Sequence, residues 1–132
     1  MSIAPTEAVL NAVDEVRHTF PDTTVTFEPD GAGGAWVTIA EVPLGSAFVT
    51  PTSWMVFQIT FPYPEADVYP HFVRPDLQRK DGAAFGDGFA LTSYGEANVS
   101  AMQLSRRSNR LNPAVDTAAT KALKVLRWLE QR

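Results

Sequence analysis

The sequence predicts an α+β fold: an N-terminal helix, an antiparallel β-meander, a Pro/Gly-rich crossover with an extra hairpin, and a C-terminal helix. Three observations lead there. Apolar residues recur at helical spacing only near the two ends of the chain. Between them, short β-branched or aromatic runs alternate with a period of two. The ten prolines and eight glycines fall mostly at the boundaries of those runs. At 132 residues the chain has the length of one domain, expected to span residues 1–132. Such a chain buries roughly two-thirds of its unfolded surface, enough for a core without cross-links.

The first helix is placed at Pro5, which suits a first helical turn, with Glu7 near the positive end of the helix dipole. Val9, Val13, Val16 and Phe20 form its apolar stripe, and Pro21 stops it. Thr24–Phe27 reads as a strand, residues 29–34 as a turn, and Trp36–Val42 as a second strand. The clearest strand is Trp54–Phe61. Met55, Phe57, Ile59 and Phe61 share an apolar face that should meet the helices, while Trp54, Val56, Gln58 and Thr60 share a mixed face. Trp54 is a candidate interface residue.

Prolines at 62, 64, 70 and 75 forbid a helix and a central strand, leaving room for one short edge strand near His71–Val73. Asp81–Gly88 reads as a loop. Phe89–Tyr94 and Val99–Leu104 read as a hairpin turning at residues 95–98. The C-terminal helix is expected to start with Asn112 as N-cap and Pro113 in its first position. Val115, Ala118, Ala122, Leu126 and Leu129 form its stripe, and Lys121, Lys124, Arg127 and Arg132 lie towards its negative end.

Composition excludes several chemistries. The chain has no cysteine, which removes disulfides, thiolate metal sites and any thioester intermediate. Two widely spaced histidines, His18 and His71, do not suggest a metal cluster, and no cofactor is expected. His18 reads as a solvated helix-end residue and His71 as a polar position beside prolines. No Gly-x-Ser-x-Gly elbow, P-loop or complete dinucleotide fingerprint is present. Charge is unevenly spread: residues 1–104 carry 13 acids and 4 bases, residues 105–132 carry 7 bases and 2 acids. That pattern implies a directional surface, not a general nucleic-acid binder or a membrane partner. No basic n-region with an apolar core opens the chain, and no apolar run approaches the ~20 residues of a membrane span. A soluble cytoplasmic protein is expected.

The most unusual local feature is the segment Ser105–Arg110, with Arg106, Arg107 and Arg110 flanking Ser108 and Asn109. Three guanidiniums at this density can grip a carboxylate or phosphate bidentately. We therefore expect Arg106, Arg107, Asn109 and Arg110 to form a partner-binding loop. The competing expectation is a solvated loop whose arginines pair with nearby acids. A polyanion-binding module is a further alternative, although that function usually needs a wider basic field and stacking aromatics.

The order Phe61-Pro62, Tyr69-Pro70, Arg74-Pro75-Asp76-Leu77 and Leu111-Asn112-Pro113-Ala114 resembles the ubiquitin-conjugating enzyme family, over roughly residues 5–131. It looks closest to divergent bacterial members encoded beside ubiquitin-like modifiers, activating enzymes and deconjugating proteases. The resemblance implies such partners. Arg74-Pro75-Asp76 stands where that family has His-Pro-Asn, and an ionised Asp76 cannot donate to an oxyanion as the family asparagine does. Counting back from Leu111 puts the family's cysteine position at Gln103; counting forward from Arg74 reaches Ala84 or Phe85. Neither is a thiol, and the Asp81–Gly95 region has the character of an insertion. Arg74, Pro75, Asp76, Gln103 and Ala84 are thus the expected vestigial site. The resemblance leaves a non-catalytic adaptor, or a conjugating enzyme whose cysteine has been replaced, for instance at Ala84 or Ala101.

Overall fold

A computed structural model describes residues 2–108 and 110–131. Helix α1 spans Glu7–Thr19. Its N-cap is Thr6, whose hydroxyl accepts from the Val9 amide at 3.1 Å, so Pro5 precedes the cap and does not open the first turn. Val9, Val13 and Val16 are buried as their spacing predicts, and Phe20 packs at the margin.

Six strands follow: β1 (Val25–Pro29), β2 (Ala35–Pro43), β3 (Thr52–Ile59), β4 (His71–Val73), β5 (Phe89–Tyr94) and β6 (Val99–Leu104). They form one antiparallel sheet in the order β1-β2-β3-β4-β6-β5. Helix α2 spans Ala118–Glu130 and closes the chain. Both helices pack on one face, against Val37, Ile39, Met55, Phe57, Val73 and Leu104. At about 25 cal/mol per Å² of apolar surface, this face is the main driving force for folding. No helix among the described residues is long and apolar enough to cross a membrane.

Three expectations are corrected. β4 is an inner strand, paired with β3 on one side and β6 on the other. Its prolines sit just outside, at Pro70 and Pro75, so no ladder amide is lost inside the three-residue strand. Phe61 lies beyond the end of β3 and is 62% exposed, outside the stripe that Met55, Phe57 and Ile59 complete. The last helix begins at Thr117, not Asn112. Thr117 and Thr120 form a reciprocal capping box. Asn112 instead closes a separate turn, accepting from the Ala114 and Asp116 amides, and Val115 is exposed. Lys121 therefore stands in the first turn of α2, away from its negative end; Arg127 keeps that place, and Arg132 lies outside the described residues.

The opposite face of the sheet carries a second, aromatic cluster. Val56, Phe72 and Ala101 are buried there under Trp36, Trp54 and Tyr94. β4 pairs only with residues 102–104 of β6, so the outer half of the β5–β6 hairpin has no neighbour in the sheet plane. It leans across the outer face, where the Tyr94 ring stacks on Phe72 at 4.8 Å and reaches Trp36 at 5.7 Å and Trp54 at 6.1 Å.

His71, the polar position beside Pro70, is fully buried on the helix face beside Phe57. Neither ring nitrogen has a hydrogen-bond partner among the described residues. Burial, reinforced by the Lys121 charge and opposed by Asp67, pushes its pKa down to about 3. The unfolded chain takes up this proton below about pH 6.5, and the folded chain refuses it until about pH 3. Folding stability should therefore fall as pH drops through that window, by up to about 1.4 kcal/mol per pH unit. His71→Leu should abolish the slope between about pH 6.5 and 4.5 and leave stability at pH 7 equal or higher, because it removes an unsatisfied buried donor. Urea midpoints of both proteins across that range check this; equal slopes would refute it.

Candidate functional site

Residues 105–108 leave β6, and residues 106–108, with Arg110, line a recess of about 200 Å³ against α2. Its lining includes Arg106, Arg107, Arg110, Lys121 and Lys124, with Ser108, Asp116, Val125 and Trp128. Three of the four residues expected in a binding loop thus come together; Asn109 lies outside the described residues. Among the described residues the arginines do not pair with acids, contrary to the competing expectation. The Arg106 guanidinium lies 4.9 Å from the Trp128 ring centroid and that of Arg107 lies 5.5 Å from Tyr69. Ring faces of this kind fix a guanidinium in place without neutralising it.

The two lysines differ. Lys124 pairs with Asp116 at 3.2 Å on the surface. Lys121 is buried and belongs to a cluster with Asp67 and Ser108. Its ammonium donates to both Asp67 carboxylate oxygens at 3.2 Å and to the Ser108 hydroxyl at 2.7 Å. Asp67 also accepts from the Ser108 amide at 2.7 Å and hydroxyl at 2.9 Å. Burial alone would raise the Asp67 pKa, but the Ser108 donors and the Lys121 charge outweigh it and hold the carboxyl below its usual range. Burial lowers the Lys121 pKa, with Asp67 opposing.

A serine beside a lysine can be a nucleophile–base pair if the lysine is neutral. Here the carboxylate holds the proton on Lys121, and the Ser108 hydroxyl already donates to Asp67. The cluster is a clamp that fixes the arginine segment to α2. It was missed in the sequence. Its one signal there is Lys121 itself, a charge three residues after Ala118 and one before Ala122, on the side that α2 buries. Asp67, in a proline-rich stretch, carries no such signal.

The expected vestigial residues lie at the end of β4, on β6 and in the loop before β5. Arg74 grips Asp76 through two hydrogen bonds of 2.6 and 2.8 Å, and these hold the Asp76 carboxyl below its usual range. Pro75 bridges the two at the end of β4. Gln103 lies on β6 opposite Phe72 and bonds Ser105 at 3.0 Å. Ala84 is exposed in the loop before β5. No hydrogen bond, ion pair or ring contact among the described residues joins Ala84 or Gln103 to Arg74 or Asp76. His18 is exposed on α1, its Nδ1 2.9 Å from the Asp14 carbonyl oxygen. Among the described residues no group of three His, Asp or Glu side chains is arranged to hold a metal ion. No family model matches the chain, and neither a curated protein nor a solved structure is detectably similar to it.

The clamp makes a measurable statement. Asp67→Asn should leave the Lys121 charge buried and uncompensated, costing about 3–5 kcal/mol. Asp67→Asn combined with Lys121→Met should recover a large part of that loss, because both charges are gone. A double-mutant cycle by urea denaturation reads the coupling directly; additive effects would rule the clamp out.

Proposed function

We propose that this chain is a non-catalytic binding domain that grips an anionic segment of a protein partner in the recess between residues 105–110 and α2. One observation carries the reading. Of the five cations around the recess, both lysines are matched by carboxylates, while the three arginines have no acidic partner among the described residues, and Arg106 and Arg107 lie against aromatic rings. In a chain with net charge −4, three arginines gathered at one recess without an acidic partner among the described residues form a local positive field suited to an anionic ligand. A carboxylate side chain or chain terminus would be gripped bidentately. The absence of cysteine leaves no route to a thioester on this chain.

We further propose that the domain is ubiquitin-conjugating-like and serves as an adaptor in a bacterial system that attaches or removes a ubiquitin-like modifier. The support is the order of the Phe-Pro, Tyr-Pro and Arg-Pro-Asp motifs around an antiparallel sheet flanked by terminal helices. Against it stand two departures: Leu111-Asn112-Pro113 opens a turn and not a helix, and the sheet gains the β5–β6 hairpin.

The test titrates the full chain with an acidic peptide and, separately, with single-stranded DNA. Arg106→Ala/Arg107→Ala/Arg110→Ala serves as the control. Peptide binding should weaken at least about tenfold in the triple variant, corresponding to about 1.4 kcal/mol. DNA should bind weakly or not at all. Tight DNA binding with a log–log salt slope near −0.7 per neutralised phosphate would replace this function with a polyanion-binding one. Unchanged peptide binding in the triple variant would remove the recess from recognition. For the pathway, pull-down of the modifier or activating enzyme encoded beside this chain is expected; failure of both to bind at high micromolar concentration would sever the adaptor role.

A further inference from the structure

A second concave region lies on the other side of the sheet from the arginines. It is a groove of about 490 Å³, within the ~300–1,000 Å³ span of small-molecule sites. Its floor is the outer face of β1–β3 and its far wall is the turn of the leaning β5–β6 hairpin. Trp36 and Tyr94, with ring centroids 5.7 Å apart, supply an aromatic wall. Glu28, the cross-strand neighbour of Trp36, joins Asp30 and Glu96 in the lining. No basic side chain lines the groove, and none of these three carboxylates is ion-paired among the described residues.

Asp30 decides what kind of cation suits the groove. One of its oxygens accepts from the Ala32 and Gly34 amides at 2.8 and 2.9 Å, and the other from Gln58 at 3.0 Å. Burial opposes these bonds, but together they hold the carboxyl below its usual range. The turn is closely packed at this point: a Cβ at Gly34 would collide with the Ile59 carbonyl oxygen and the Asp30 carboxylate. Asp30 thus contributes negative potential with little remaining capacity to accept hydrogen bonds. A hard divalent ion needs converging free oxygens and gains nothing from indole or phenol rings. A primary ammonium must hand three donors to acceptors. A quaternary or fully methylated ammonium has no donor, is weakly hydrated, and is attracted by aromatic rings and by net negative field. We propose that this groove binds an alkylated ammonium group against Trp36 and Tyr94.

That group occurs free, as in choline, or on a trimethylated lysine. The experiment is calorimetric titration of the full chain with choline, with its neutral isostere 3,3-dimethylbutan-1-ol, and with matched peptides bearing lysine or trimethyl-lysine. Choline should bind at least about tenfold more tightly than the neutral alcohol. The peptide pair identifies the source: a trimethyl-lysine peptide that outcompetes choline points to a modified protein, and equal or weaker binding to a free ligand. Trp36→Leu should abolish binding. Because Trp36 also packs on the sheet, Glu28→Gln/Glu96→Gln is the second variant, expected to weaken choline severalfold with the fold unchanged by circular dichroism. Equal affinity for choline and the alcohol, choline affinity unchanged in either variant, or no binding up to about 10 mM would each overturn the proposal.

Discussion

The buried contact of Lys121 with Asp67 and Ser108 is the constraint on which the functional half of the molecule depends. It joins residues 41 and 54 positions apart in the chain. Residues 105–108 and the segment that carries Asp67 have no place in any strand or helix, so beyond the bond from the Ser105 amide to the Gly88 carbonyl, side-chain bonds do most to set their position. The Ser108 amide and hydroxyl both end on Asp67, which fixes Ser108 directly after Arg107. The Tyr63 hydroxyl adds a second pin by accepting from the Ala118 amide at 3.1 Å, satisfying a free donor at the start of α2. A net-neutral buried cluster of this kind gains little stability over an apolar one of the same shape. What it supplies is a fixed anchor at Ser108, directly after Arg106 and Arg107, and a loop ordered before binding loses less entropy on binding.

The sheet separates two regions of opposite chemistry. On the helix side, the arginine segment and α2 gather positive charge; on the other, Glu28, Asp30 and Glu96 surround an aromatic floor. The uneven charge along the chain becomes an uneven charge across the sheet, because residues 105–131 end on the helix layer while the β1–β2 turn and the hairpin tip face away. The hairpin makes the second region concave. With β4 only three residues long, β6 loses its in-plane partner after Met102, and aromatic stacking on Phe72 decides where the free end goes.

Most elements were legible in the sequence, and the misses share a cause. Periodicity located α1, five of the six strands and the core half of α2, since Val9, Met55, Phe57 and Leu129 are buried for the reason their spacing announces, while β4 was expected only as an edge strand in the gap between prolines. The hairpin at residues 95–98 followed from its turn residues. Boundaries failed where two local signals competed. Asn112-Pro113 is a good helix start by propensity, yet Thr117 and Thr120 offer a reciprocal cap that satisfies two backbone donors, and the helix begins there. Proline density argued against an inner strand, yet three residues between Pro70 and Pro75 were enough for one. The arginine loop was visible as composition. The clamp that positions it was not, because Asp67 and Lys121 meet only through tertiary structure, and no local pattern encodes a contact across 54 residues.

The core is apolar almost throughout, and its exceptions are concentrated. Among the described residues only Ser53, His71 and Lys121 are buried and polar. Ser53 is satisfied locally, its hydroxyl donating to the Trp54 carbonyl and accepting from the Arg74 amide. The other two sit where β4 meets α2, close enough for the Lys121 and Asp67 charges to act on the His71 ring. A neutral imidazole without partners and a desolvated ion pair are both tolerated only while the surrounding packing excludes water and protons. Acid acts on both in the same direction, charging His71 and neutralising Asp67. The junction that orders the arginine segment is therefore the part of the core whose stability depends most on pH. Loosening it would release the recess before the remote α1–β2–β3 packing, whose contacts are apolar and indifferent to protonation.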